Sequence, residues 1–262
     1  APLNPRLVYL SISAFGQDGP DAAKPGYDAM IQGMGGLMSI TGVKDGEPGA
    51  GPQKVGVALT DIMTGLYSTV GILAALAYRE RTGRGQHLDM ALLDVQIAAL
   101  ANQGSNYLVS GKAPGRMGNA HPNIVPYQSF VAKDGSLIVA VGNDGQFGKL
   151  CQELGIAEIS TDPKFATNPD RVANRVELNE LLVKQFLENG ADHWWKLLSD
   201  AGVPCGPINS ISEAFALAES LELNPIITIN QEGEERKQVA NPITFSQTPV
   251  RYAVAPPSLD EA

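Results

Sequence analysis

One stretch restricts the fold of this chain more than any other. From Asp61 onward, Ile62, Leu66, Tyr67, Val70, Leu73 and Leu76 recur at helical spacing, and Ala and Gly fill the remaining faces. A helix apolar nearly all round belongs in a core, so the sequence predicts a buried helix with protein on every side. It closes in RERTGRG, where basic residues meet the carbonyl end of the dipole and Gly83 offers a stop. A short apolar run, VGVAL, leads into it, and QHLDMALL after it reads as a strand. The opening segment RLVYLSISAFG alternates and is rich in Val, Ile, Leu and Tyr, the pattern of a buried strand. Between them, GQDGPDAAKPGY is a loop and DAMIQGMGGL, from Asp28 to Leu37, is weakly helical. DVQIAALANQGSNYLVSG predicts a second helix.

The character then changes. GKAPGRMGNAHPNIVPYQ is a long segment dense in Gly, Pro and Asn, and reads as a crossing between domains. SFVAKDGSLIVAVG beyond it predicts a hairpin turning at Asp134-Gly135. Helical patterns follow at 145–155, 173–189, 191–201 and 212–222, and the tail reads as short strands ending in Pro-rich coil. The expected fold class is α/β, a large domain followed by a smaller α+β unit.

Composition narrows the function. A 262-residue chain with 44% apolar and 18% charged residues has the makeup of a globular protein with a sizeable core. Its net charge of −9 is spread along the sequence, which argues against nucleic acid or an anionic membrane surface as partner. A small anionic ligand is not excluded, since a few Lys and Arg side chains can hold phosphates. No apolar run reads as long enough to span a bilayer, and the start APLNPRLVYL lacks the pattern of a signal peptide. The expectation is a cytoplasmic protein, or a mitochondrial one if eukaryotic. The two cysteines, Cys151 and Cys205, have no metal-like spacing and read as free thiols.

Asp61 is the most informative polar position, where an apolar run meets the N-terminus of the long helix. Unsatisfied backbone N–H groups and the positive dipole end favour an anion there. By position alone its commonest role is to cap the helix. The glycines of GMGGLMSITG serve either tight packing or a close backbone approach to a ligand, and GMGG lacks the frame of a dinucleotide fingerprint. His87, His121 and His193 are too scattered to propose a metal site, and a strand acid and a helix cap explain Asp89 and Asp94 better than a catalytic pair. Core packing is the reading for Trp194 and Trp195.

SAFGQDGPDAAKPGYDAMIQGMGGLMSITG, then VGVALTDIMTGLYSTVGILAAL, then RTGRGQHLDMALLD resemble the central signature of the family III CoA-transferases. This is the CaiB/BaiF group, which includes formyl-CoA transferase, carnitine CoA-transferase and 2-methylacyl-CoA racemase. The similarity runs on through GNAHPNIVPYQSF, DGSLIVAVGNDGQF and GVPCGPINS, nearly the whole chain. The resemblance implies a Rossmann-like large domain, incomplete here, plus a smaller α+β domain in an interlocked homodimer. On this basis residues 1–110 form the central part of the large CoA-binding domain, 111–225 a linker and the small domain, and 226–262 a return segment. It also implies that family members carry an N-terminal portion preceding this sequence and a helix following it.

The resemblance makes Asp61 a covalent nucleophile, attacking an acyl-CoA thioester and becoming an aspartyl-CoA thioester. CoA enters as substrate, with no permanently bound cofactor. The loop Lys24, Pro25, Gly26, Tyr27, Asp28 is implied to lie against CoA; an ordinary turn around Pro25-Gly26 is the plainer account. Gly118, Asn119 and His121 are implied to help choose the acid. Racemases of the family place a histidine where this chain has Tyr27, a poor base near neutral pH with a free phenol at ~10. That favours transfer over α-proton exchange. GNAHPNIVPYQ followed by VGNDGQF most resembles the branch acting on dicarboxylates such as succinate and glutarate. A 2-methylacyl-CoA racemase-like enzyme and a non-catalytic truncated family member stand as the alternatives.

Overall fold

The computed structural model describes residues 3–231 and 233–257. The chain forms two compact units, one up to Gln128 and the other from Ser129.

The first unit is built on a β–α–β crossover. Strand β1 (Tyr9–Ser13) pairs in parallel with β2 (His87–Ala91), in register from Tyr9 opposite His87 to Ser13 opposite Ala91. Between them lie α1 (Asp28–Met34), α2 (Leu37–Ile40) and the 24-residue α3 (Leu59–Thr82). Helices α4 (Leu92–Ala99) and α5 (Ala101–Ser110) follow β2 directly. Gly83 ends α3 in the left-handed conformation, its N–H bonded to the Arg79 carbonyl at 2.8 Å. The expected single helix over 94–110 is two, because Ala101 takes a φ of 48°, outside the helical region. Ala14, Ile31 and Leu92 form a core cluster joined by Phe15 and Leu93.

Two expectations of burial need correction. β1 is a strand, but Tyr9 and Ile12 are 58% and 52% exposed. The sheet in this unit has two strands, too narrow to be covered on both faces. α3 is long, but it does not bury its large apolar residues: Leu66, Val70 and Leu73 are 58%, 64% and 61% exposed. The buried stripe is instead Thr60, Thr64, Ser68 and Ala75, one side of the helix at i, i+4 spacing. α3 packs against α1, α4 and β2. Small side chains let such neighbours come close, and the bulky residues are left on the opposite side. Because of that composition and its length, α3 is also long and apolar enough to cross a membrane. The reading that no apolar run reaches this length was too strict.

From Ser129 on, the second unit holds a three-stranded sheet in the order β3 (Tyr127–Val131, its first two residues at the end of the first unit), β4 (Ser136–Ala140), β5 (Cys205–Pro207). β4 and β5 run antiparallel with Ile138 opposite Gly206. The turn between β3 and β4 carries Asp134-Gly135 as expected, closed by the Ala132 N–H on the Gly135 carbonyl. The described residues of this unit also form the α-helices α6 (Asp144–Glu153), α7 (Asn168–Ala173), α8 (Arg175–Phe186), α9 (Ala191–Asp200) and α10 (Ile211–Ser220), with α9 packed on β4 and β5. The hairpin β6 (Ile226–Gln231) and β7 (Glu234–Val239) completes it.

Leu137, Val139, Leu150, Leu178, Leu182 and Leu198 are fully buried. Phe186 lies between Phe130, tilted against it, and Trp194, met edge-on, and the Trp194 indole N–H donates to the Phe186 carbonyl at 2.8 Å, so Trp194 is a core residue. Arg171 is buried too, bonded to Asp144 at 2.7 Å and lying 4.4 Å over the Phe147 ring. Both cysteines are free thiols, Cys151 buried and Cys205 partly so.

Candidate active site

The site starts from a helix that lacks its own cap. At the N-terminus of α3 the capping position is Ala58, whose side chain can accept nothing. The first N–H groups of a helix have no partner within it and need an acceptor from elsewhere. Asp28, the first residue of α1, supplies one. Its Oδ1 accepts the Thr60 N–H at 2.8 Å and the Asp61 N–H at 3.4 Å. Its Oδ2 accepts from the Gln32 side-chain amide at 2.7 Å.

Gln32, one turn along α1 and fully buried, does more. Its oxygen accepts the Val55 N–H at 2.9 Å, and its Nε2 also donates to the Val57 carbonyl at 3.3 Å. The segment entering α3 is therefore clamped to α1 by one amide. On the far side of α3, the Thr60 hydroxyl donates to Oε1 of Gln96 on α4 at 2.6 Å. The Thr64 hydroxyl bonds back to the Thr60 carbonyl at 2.8 Å.

This network leaves the Asp61 side chain out. Its backbone N–H faces Asp28, while its carboxylate is exposed and has no hydrogen bond or ion pair among the described residues. Asp61 therefore does not cap the helix; Asp28 does. A carboxylate held on a rigid helix start, with no partner to occupy it, is available to attack an electrophile.

The loop before α1 is shaped by close packing. Gly26 runs so near Ala14 that a Cβ at Gly26 would overlap the Ala14 methyl. Tyr27 stands at the N-cap of α1 with its side chain 81% exposed. Lys24 pairs with Asp21 at 2.7 Å on the surface. Pro25 joins these two positions, so residues 24–28 run continuously from solvent to the α3 cap.

Gly118, Asn119 and His121 lie in the irregular segment after α5. Gly118 takes a φ of 61°. The His121 ring stacks on Tyr127 with centroids 5.2 Å apart, and its Nδ1 accepts the Asn123 N–H. Asn123 in turn exchanges side-chain amide hydrogen bonds with Asn106 of α5 at 3.0 and 3.2 Å. Arg116 fixes the start of the segment: its guanidinium pairs with Asp45, and its N–H donates to the other Asp45 oxygen at 3.0 Å. A cavity of about 500 Å³ between Arg6, Leu7, Ile72, Leu76 and Arg79 lies towards the C-terminal half of α3 and contains none of these residues.

Gln32, Thr60 and Gln96 were not singled out in the sequence. Gln32 sits at i+4 from Asp28, the spacing at which helical side chains meet, and Gln96 shares with Asp94 a helix whose other residues are apolar. Either signal was available.

Comparison with known proteins identifies the family of the chain. The model of CoA-transferase family III matches residues 1–262. The chain is 50% identical over 260 residues to a succinate–glutarate CoA-transferase of Agrobacterium fabrum, covering 99% of this chain and 64% of that protein. It is 40% identical over 258 residues to the succinyl-CoA:glutarate CoA-transferase of Mus musculus, covering 98% and 58%. This chain thus spans less than two thirds of the length of either relative. Among solved structures, a CaiB/BaiF family protein from Brucella suis is 48% identical with a TM-score of 0.79, over 99% of this chain and 67% of that one. Rv3272 from Mycobacterium tuberculosis, at 23% identity, shares the fold with a TM-score of 0.84 over 97% and 67% of the two chains. The chain belongs to CoA-transferase family III.

Proposed function

We propose that this protein moves CoA between small carboxylic acids, with Asp61 as the covalent nucleophile. The observation that carries the proposal is the Asp28–Asp61 arrangement: the helix start is capped by one carboxylate, which leaves the other unengaged and exposed. An Asp61 oxygen attacks the thioester carbonyl of the donor acyl-CoA, and CoA leaves as thiolate. The mixed anhydride is then attacked at its aspartyl carbonyl by the thiolate, releasing the donor acid as carboxylate and forming aspartyl-CoA. The acceptor carboxylate attacks that thioester and again expels CoA thiolate. The thiolate attacks the acceptor's carbonyl in the second anhydride and regenerates the Asp61 carboxylate. Each step exchanges one activated acyl bond for another, and CoA is substrate throughout.

Lys24, Pro25, Gly26 and Tyr27 are proposed to contact CoA, with Asp28 holding the end of that loop against α3. Gly118, Asn119 and His121 are proposed to contact the acid. The names of the relatives at 50% and 40% identity support succinate and glutarate as the acids. Assembly as a homodimer belongs to the same proposal, and sedimentation of the complete protein tests it. The chemistry is tested by mass spectrometry after incubation with succinyl-CoA. A CoA-sized adduct on Asp61, absent from Asp61→Asn, is expected. A folded complete protein left unlabelled by several acyl-CoAs would remove Asp61 from this role.

A further inference from the structure

Gln96 is fully buried on α4, yet only one end of its amide is used. Oε1 accepts from the Thr60 hydroxyl at 2.6 Å, while Nε2 is buried with no hydrogen-bond partner among the described residues. An unpaired buried donor is a net cost to stability. A methionine of similar length would fill the same space without it. The backbone has also made room for this side chain. A Cβ at Gly35, after α1, would collide with Gln96 Cγ and stand 2.8 Å from the Ile31 carbonyl oxygen. Packing accounts for the glycine, but not for the unpaired amide.

What the amide does reach is the residue before Asp61. Thr60 is held at three atoms: its N–H by Asp28, its hydroxyl by Gln96 and its carbonyl by the Thr64 hydroxyl. Asp28 and Gln96 come from α1 and α4. Together they fix both the axial position and the rotation of the first turn of α3. We propose that Gln96, acting through Thr60, is a positioning residue for the Asp61 carboxylate, retained for nucleophile placement at some cost in stability. This rests on the reading of Asp61 as nucleophile. A positioning role is consistent with the sensitivity of covalent catalysis to geometry, where a 1 Å displacement of a reacting group can cost about 100-fold in rate.

The test uses the complete protein as native, Gln96→Met, Thr60→Val, Thr60→Ser and the Gln96→Met/Thr60→Val double variant. Three quantities are measured: the single-turnover rate of CoA adduct formation on Asp61 from succinyl-CoA, CoA affinity, and the thermal midpoint. Gln96→Met and Thr60→Val are each expected to slow adduct formation roughly 10- to 100-fold with CoA affinity unchanged. Gln96→Met removes the unpaired Nε2 but strands the Thr60 hydroxyl, so the double variant, which removes both partners, is the one that should melt no lower than native. Thr60→Ser, which keeps the hydroxyl, should recover most of the rate, and the double variant should be no slower than the worse single.

Rates within about twofold of native in both single variants would overturn the proposal. So would additive losses, or losses that track CoA affinity or melting. If the native protein itself forms no adduct, the nucleophile reading fails first and this inference falls with it. A native adduct formed equally fast by the variants would sink only the inference.

Discussion

Asp28 accepts the backbone N–H of Thr60 across 32 positions of sequence, at 2.8 Å, and so caps a helix to which it does not belong. Replacing it with Ala strands the Thr60 and Asp61 N–H groups. A loss of about 1–2 kcal/mol is expected, readable as a lower urea midpoint at unchanged m. Adduct formation on Asp61 should slow as well, since the same bond sets where Asp61 begins. Asp28→Asn keeps an acceptor and is expected to retain most of the stability.

The second unit repeats the device without the chemistry. α9 starts after Gly190, which has no side chain to cap with, and the carboxylate of Asp134 in the β3–β4 turn accepts the Ala191 N–H at 2.7 Å. Asp134→Ala should cost about 1 kcal/mol. Unlike Asp28→Ala, it should leave the rate of Asp61 labelling at the native value, which separates the effect of losing a cap from that of losing this particular one.

Gly35→Ala tests the passage through which Gln96 reaches Thr60. The added methyl meets Gln96 and the Ile31 carbonyl, so one of them must shift. A destabilisation of about 1–3 kcal/mol is expected from overpacking, measured by thermal or urea unfolding. A neutral result would show that the Gln96 side chain moves aside freely.

Burial pushes the Cys151 thiol from about 9 up to about 12, against the opposing pull of the Arg171 charge. Well below pH 9 the thiol is almost wholly neutral both folded and unfolded and contributes little pH dependence. Between about 9 and about 12 the unfolded chain releases the proton and the folded one keeps it, so stability falls as pH rises. Cys151→Ala should flatten that part of the profile. Iodoacetamide at pH 8 should leave Cys151 unmodified until the protein unfolds.

The bulky face of α3 carries its own expectation. Leu66, Val70 and Leu73 stand open to solvent in this chain. Expressed by itself, the 262-residue chain should bind an apolar dye such as ANS, and replacing these residues with Lys or Gln should reduce that binding without lowering the melting temperature. A chain that binds no dye would place these side chains under cover.

Local chemistry made much of this legible. Gly83 ends α3, Asp134-Gly135 turns the hairpin, and β1 and β2 flank the long helix, each because a nearby residue type demands it. What escaped depends on partners far off in sequence. Periodicity gives α3 an apolar face but not which side its neighbours cover, and the protein covers the side of Thr60, Thr64 and Ser68. The break between α4 and α5 rests on one φ angle at Ala101, which its side chain does not announce. At the site, the place of Asp61 before an apolar helix reads by itself as a cap, and only the family resemblance makes it a candidate nucleophile. That Asp28 would take the capping role, and that Gln32 and Gln96 would hold the frame, came only with three helices in place.

The length of α3 has a mechanical side. At 1.5 Å per residue, Asp61 and Glu80 stand roughly 28 Å apart on one rod. The tail of that rod is tied to the rest of the unit by the Arg6–Glu80 pair at 3.2 Å, with both side chains largely in solvent. Such a tether is worth ~0–1 kcal/mol and yields easily to salt. The same rod packs on β2 and buries Ala75 fully, so its seat in the unit does not depend on this pair.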